Sequence, residues 1–209
     1  MNNEIQVAKS NLPETATPQT VFTNSGENGV QIANQSGAIV NVYLPGANGT
    51  VYNAATLIST EYYNLFVIGD EPFNDPFFLI GKDRALTTSE GIAADISAQF
   101  AALTPEAIAA IKTFPSLFAS ENHQYGCTDA DHFAFYGMVT DVRIQENGIK
   151  IYYQKFSSVP QQKLNEIAFN LAIKGTSSFN ELNRTHWAIK RIHLIEELRT
   201  VGISVLVPT

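Results

Sequence analysis

Apolar and polar residues alternate most regularly between Gly137 and Phe156. Val142 and Ile144 alternate with Asp141, Arg143 and Gln145, and Ile149, Ile151 and Tyr153 alternate back. Glu146-Asn147-Gly148 separates the two runs, and Asn-Gly between period-two segments is the strongest short-range hairpin signal. Upstream, Tyr62–Ile68 and Phe77–Ile80 read as strands rich in aromatic and β-branched residues. The turns Gly69-Asp70-Glu71-Pro72 and Asn74-Asp75-Pro76 lie between them. The period then changes to 3.6. Ile92, Ile96, Phe100 and Leu103 form one stripe, with an N-cap at Thr87, Thr88 or Ser89. Thr104-Pro105-Glu106 opens a second helix, which Pro115 ends or redirects. Leu164, Ile167 and Leu171 mark a third helix that starts near Pro160 and stops at Gly175. Leu194, Ile195 and Leu198 mark a fourth, closed by Gly202. Trp187–Ile192 fits either period, and "ISVLVP" reads as a terminal strand. Strands, helices, hairpin, helices and strand in that order predict an α+β fold with a central hairpin and flanking helices.

The front of the chain has a different texture. Residues 1–20 are polar and rich in Pro and Thr, which predicts a flexible or extended arm. Residues 21–53 form an Asn/Gly-rich β segment in which Ser25-Gly26 recurs as Ser36-Gly37. Each pair precedes a short strand: Val30 and Ile32 flank Gln31, and Val40 and Val42 flank Asn41. Gly and Asn supply the corners such turns need. Two units are too few to bury a face alone, so Val30, Ile32, Val40 and Val42 are assigned to assembly with a partner or another copy; the structural alternative is a plain two-stranded edge of the main sheet. Residues 54–209 form the α+β domain.

Composition narrows the classes. The chain has 209 residues, a net charge of −7 and one cysteine. The lone Cys127 excludes an internal disulfide framework and points to a reducing compartment. No signal peptide is apparent, and no apolar run approaches the roughly 20 residues that cross a bilayer. These features predict a cytoplasmic protein without a membrane partner. Residues 1–100 carry ten Asp/Glu against three Lys/Arg, and the remainder ten of each. A chain so charged is not expected to bind nucleic acid, which needs clustered Lys/Arg. Arg184, Lys190, Arg191 and Arg199 are interleaved with Glu181, Glu196 and Glu197 and read as a solvated helix face.

Two constellations carry candidate chemistry. "ENHQYGCTDADHFAFYG" gathers His123, Cys127, Asp129, Asp131 and His132. These are ligand types for Zn²⁺ or Fe²⁺, and Cys with His can serve as nucleophile and base. The H-x₃-C-x-D-x-D-H spacing matches no common zinc pattern and no EF-hand. The structural alternative is a turn over Gly126–Asp131, followed by a strand with His132, Ala134 and Tyr136 on one face. The second group is Glu181, Arg184, His186 and Trp187. On a helix Arg184 and Trp187 share a face that could bind an anion or a base; a buried Trp beside an Arg–Glu pair is the structural alternative. His186 and His193, seven apart, would also align on a helix, with no carboxylate at metal-ligand spacing between them. Phosphate-loop, dinucleotide-loop, nucleophile-elbow and zinc-protease signatures are absent, and no cofactor is expected.

"NSGENGVQIANQSGAIVNVYLP", residues 24–45, resembles the short Asn/Gly/Gln-rich β motifs of bacterial conflict and anti-phage proteins. Those motifs occur in signalling proteins and in accessory components of defence operons such as ABC-three-component systems. The resemblance implies an interaction or sensing subunit and transfers no catalytic residues. The favoured expectation is a non-enzymatic component of a bacterial defence or signalling complex. The alternatives are a small hydrolase using His123, Cys127, Asp131 and His132, metal-dependent or not, and a nucleotide or small-ligand sensor at Arg184, His186 and Trp187.

Overall fold

The computed structural model describes residues 58–206, Gly91 excepted. Six strands form one mixed sheet in the order β2-β5-β4-β3-β1-β6. In chain order they are β1 (Tyr63–Ile68), β2 (Phe77–Ile80), β3 (Pro115–Ser120), β4 (Phe133–Gln145), β5 (Gly148–Pro160) and β6 (His186–Lys190). β1 and β3 are parallel and joined by a crossover through α1 (Ala94–Phe100) and α2 (Pro105–Ile111). The other pairings are antiparallel. α3 (Gln161–Glu166) follows β5, and α4 (Leu194–Thr200) follows β6. This is the expected α+β architecture with the hairpin β4–β5 at its centre. The assembly residues Val30, Ile32, Val40 and Val42 lie outside the described residues. No helix among those described is long and apolar enough to cross a membrane.

The sheet is covered on both faces. On one face the stripe Ile92, Ile96, Phe100 and Leu103 is buried with Phe66, Phe118, Val139, Ile151 and Trp187. On the other, Tyr63, Leu65, Leu117, Ala134 and Tyr136 pack with Leu164, Leu171, Leu194 and Leu198. The predicted N-cap of α2 is realised: Thr104 Oγ1 accepts from Ala107 N at 3.2 Å, with Pro105 at the first helical position. Gly202 closes α4 with φ +78, Ile203 N donating to Leu198 O.

Several boundaries differ from the sequence reading. α1 begins at Ala94, because Thr88–Glu90 forms a separate 3₁₀ turn and Ala93 is extended. The third helix ends at Glu166, well before Gly175. Gly175 instead lies opposite Asn180, where a Cβ would strike the Asn180 backbone. Residues 203–206 form no strand: Leu206 N donates to the Ser157 hydroxyl instead of joining a ladder. The hairpin strands are 13 residues each, longer than their alternation. Register shifts after Tyr136 and Val139 explain this, because each bulge breaks the period of two. At Gly137 a Cβ would overlap the Gln154 carbonyl, so the first bulge requires glycine.

Candidate functional site

The loop between β3 and β4, residues 121–132, carries the His/Cys/Asp constellation. Its own sequence is polar, and its shape is imposed by backbone bonds to distant elements. Asn122 N donates to Leu182 O at 2.8 Å, Gly126 N to Asn183 Oδ1 at 3.0 Å, and Thr128 N to Gln162 Oε1 at 3.0 Å. Asn183 Nδ2 returns a bond to Gln124 O, and Gln161 N donates to His132 O at 3.0 Å. Gly126 has φ +68, and a Cβ there would collide with the Ser177 carbonyl. Glycine is therefore needed where the loop meets the 175–180 segment.

Beneath the loop lies a connected set of side-chain amides. Asn122 and Asn165 bond reciprocally, Nδ2 to Oδ1, at 2.9 and 3.0 Å. Asn180 Nδ2 donates to Asn165 Oδ1 at 2.8 Å. Gln161 Nε2 donates to Ser120 O and Asn122 Oδ1 at 2.8 and 3.0 Å. Such a network fixes its members' rotamers and, through them, the loop.

Within the constellation the structure selects partners. His123 Nδ1 meets Asp129 Oδ2 at 2.5 Å, and His123 Nε2 meets His132 Nδ1 at 2.8 Å, with the rings nearly perpendicular. Burial and the neighbouring His123 hold His132 below the usual imidazole range. Cys127 donates its thiol to Gln124 Oε1 at 3.5 Å and faces the other way, into a concavity. Asp131 is exposed. Among the described residues, no group of three or more His, Cys, Asp or Glu side chains is placed to hold a metal ion. The arrangement can orient an imidazole, because a carboxylate against one ring nitrogen fixes the tautomer of the other.

The concavity beside the loop encloses about 860 Å³ and is lined by Cys127, Asn165, Phe169, Lys174, Thr176 and Asn180 among others. Phe169 is 94% exposed. Tyr125 and Phe179, adjacent in sequence to the lining residues Gly126 and Asn180, are also exposed and pair at 5.9 Å between ring centroids. The sequence reading had passed over these aromatics. They belong to no apolar stripe, and lack of periodicity was the one signal that marked them as surface.

The second candidate group takes a different form from the expected helix face. Glu181 lies in a 3₁₀ turn, Arg184 is extended, and His186 and Trp187 belong to β6. His186 and His193 therefore share no helix. Trp187 is fully buried and stacks on Phe66 at 5.1 Å, so its ring packs in the core. His186 is buried too, its Nδ1–H donating to Arg184 O at 2.9 Å, and Arg184 Nη2 donates to Ser89 O. The solvated-face reading of the basic residues fails at Lys190. It is buried on β6 and bonds Glu181 Oε2 at 2.5 Å. Burial pulls Lys190 below the ordinary lysine range, while Glu181 opposes that pull. Tyr63, whose hydroxyl donates to Leu171 O at 2.6 Å, is pushed well up by burial and by the Glu181 charge.

Compared with known proteins, the chain matches no family model, no curated sequence and no solved structure.

Proposed function

We propose that this protein is an interaction and sensing component of a bacterial defence or signalling complex, and that it assembles with further copies of itself. Residues 21–53 supply one assembly element, as their turn-strand repeat suggests, and the concavity between the 121–132 loop and residues 165–180 supplies another. The observation that carries this reading is the exposure of Phe169, which lines that concavity, and of the Tyr125–Phe179 pair, whose sequence neighbours Gly126 and Asn180 line it. Aromatic side chains are enriched among the residues that dominate interface binding energy, and grouped exposed apolar side chains mark contact surfaces. The amide network beneath the loop holds the surface in shape beforehand, which lowers the ordering cost of association. Light scattering tests the proposal. The full chain is expected to have a mass of two or more copies. Deleting residues 21–47 is expected to lower that mass, as is the double change Phe169→Ser with Tyr125→Ser. A full chain of single-copy mass, or a mass that neither change lowers, overturns it.

The carboxylate-bound His123 favours one second reading, a small hydrolase using His123, Cys127, Asp131 and His132. Turnover of activated esters that falls at least tenfold in His123→Ala supports it, since a positioned base contributes about 10²–10⁴-fold. Turnover unchanged in His123→Ala and Cys127→Ser removes it.

A further inference from the structure

We infer that the open face of β4, β5 and β2 binds single-stranded nucleic acid, with Tyr152 and Phe77 stacking bases and Arg143 and Lys150 taking phosphates. The strand registers define this face. Tyr152 lies opposite Asp141 on β4 and Phe77 on β2, and Lys150 lies opposite Arg143 and Leu79. Directly opposed residues share a face, as do residues two apart on one strand, so the six form a grid across three strands. Their neighbours Phe78, Ile80, Val142, Ile149 and Ile151 point the other way, into the core. On the grid's side of the sheet, α3 and α4 pack against Tyr63, Leu117 and Tyr136. None of the six grid residues belongs to either core cluster of the described residues. Leu79 is 44% exposed and the Arg143 side chain 61%, and Phe77, Lys150 and Tyr152 are partly exposed.

The charges on this face fit an anion. Arg143 and Lys150 are like charges directly opposite each other, an arrangement that costs stability in a sheet. Asp141 engages Arg143 Nε at 2.8 Å. Lys150 Nζ lies 3.5 Å from the Phe77 ring centroid and 5.4 Å from that of Tyr152, and no acceptor among the described residues takes its N–H groups. Arg143 Cζ lies 4.7 Å from the Tyr152 centroid, and the two rings are 5.6 Å apart. Cations and rings are thus interleaved, which suits a ligand that is both anionic and planar. An acidic peptide would satisfy the cations and leave the rings idle. A lone nucleotide is held by enclosure, which an open sheet face does not give. A single strand matches both features, because every base has a π-face and a phosphate recurs at each step. A stacked base outweighs an exposed cation–π contact, so the cations, on long stems, exchange ring for phosphate. The expectation against nucleic acid came from the charge of the whole chain, but salt confines each exposed charge to a range of about 10 Å. The grid shares no residue with the lining of the concavity, so this inference stands apart from the assembly reading.

Fluorescence anisotropy of a labelled oligo(dT) of about 12 nucleotides, titrated with the full chain, tests the inference. Saturable binding is expected, with a log–log salt slope near −1.4, from two phosphates at about 0.7 each. Tyr152→Leu keeps an apolar side chain without the ring and is expected to weaken binding at least fivefold, about the smallest loss of one base stack, with the slope unchanged. Tyr152→Phe keeps the ring and is expected to bind like the parent. The double change Arg143→Gln with Lys150→Gln is expected to flatten the slope toward zero. No binding at about 100 µM protein, the weak end of non-specific affinities, overturns the inference. Equal affinity of the parent and Tyr152→Leu, or a loss in Tyr152→Phe as large as in Tyr152→Leu, also overturns it. Polyglutamate that displaces the oligonucleotide as well as unlabelled oligo(dT) does would assign the face to acidic peptides and overturn it too.

Discussion

Glu181→Ala is expected to destabilise the protein by about 3–5 kcal/mol, the usual cost of removing one partner of a buried ion pair. Lys190 and Glu181 are 4% and 2% exposed, so water cannot replace the lost carboxylate. A loss of this size is a large share of the roughly 5–15 kcal/mol that holds a domain folded. Urea unfolding at about pH 7 measures it. The variant should also acquire a pH dependence that the parent shows more weakly. Burial disfavours the charged ammonium, and in the parent Glu181 resists that effect. With Glu181 gone, the folded-state pKa of Lys190 drops further below its unfolded value of about 10.4. The unfolded chain then binds the proton more tightly, so stability rises with pH between the two values. The midpoint for Glu181→Ala should therefore recover in part on going from about pH 7 to about pH 10. A loss under 1 kcal/mol with no alkaline recovery would show that the pair contributes little.

Trp187→Ala is expected to cost a similar amount, about 3–5 kcal/mol, for a different reason. The indole starts an aromatic row that crosses four neighbouring strands. Trp187 on β6 lies opposite Phe66 on β1, Phe66 opposite Phe118 on β3, and Phe118 opposite Phe135 on β4. Phe66 stacks on Trp187 at 5.1 Å and on Phe118 at 5.3 Å. Truncation leaves a cavity at the end of this row, and rigid sheet neighbours cannot collapse into it. It also removes the donor to Asn64 Oδ1 at 3.3 Å, on a side chain that is itself fully buried. Trp187→Phe keeps the stack and loses only that bond, so a cost of about 1–3 kcal/mol is expected. The chain has a single tryptophan, so unfolding of both variants is followed by circular dichroism. Equal costs for the two substitutions would locate the whole effect in the indole bond and not in packing.

Most features legible in the sequence carry alternation or punctuation, and β1, buried throughout, was legible from its aromatic and β-branched content instead. The hairpin, the Thr104 cap, the stripes of α1 and α4 and the Gly202 stop all leave a periodic or punctuated trace. β3 and β6 left none, because their side chains are buried toward both faces of the sheet; "PSLFAS" and "HWAIK" do not alternate. Lys190 even read as solvated, because its buried pairing with Glu181, nine residues away, depends on a 3₁₀ turn and a strand where a helix was expected. At the candidate site, the density of His, Cys and Asp was visible and its wiring was not. Asp129 rather than Asp131 meets His123, and Cys127 turns away to the concavity. The amides Gln161 and Asn165 carried no signal, because the residue they bind, Asn122, is about forty positions away.

The position of β6 has a consequence for synthesis. β1 pairs with β3 on one side, but its other edge waits for residues 186–190, more than a hundred residues downstream. Until the ribosome has released that segment, the nascent chain presents an unfilled backbone edge next to Phe66, the kind of surface on which chains join to one another before they fold. The hairpin β4–β5, whose contacts are local, is complete well before then, so insertion of this short strand, with the packing of α4 after it, comes late in maturation.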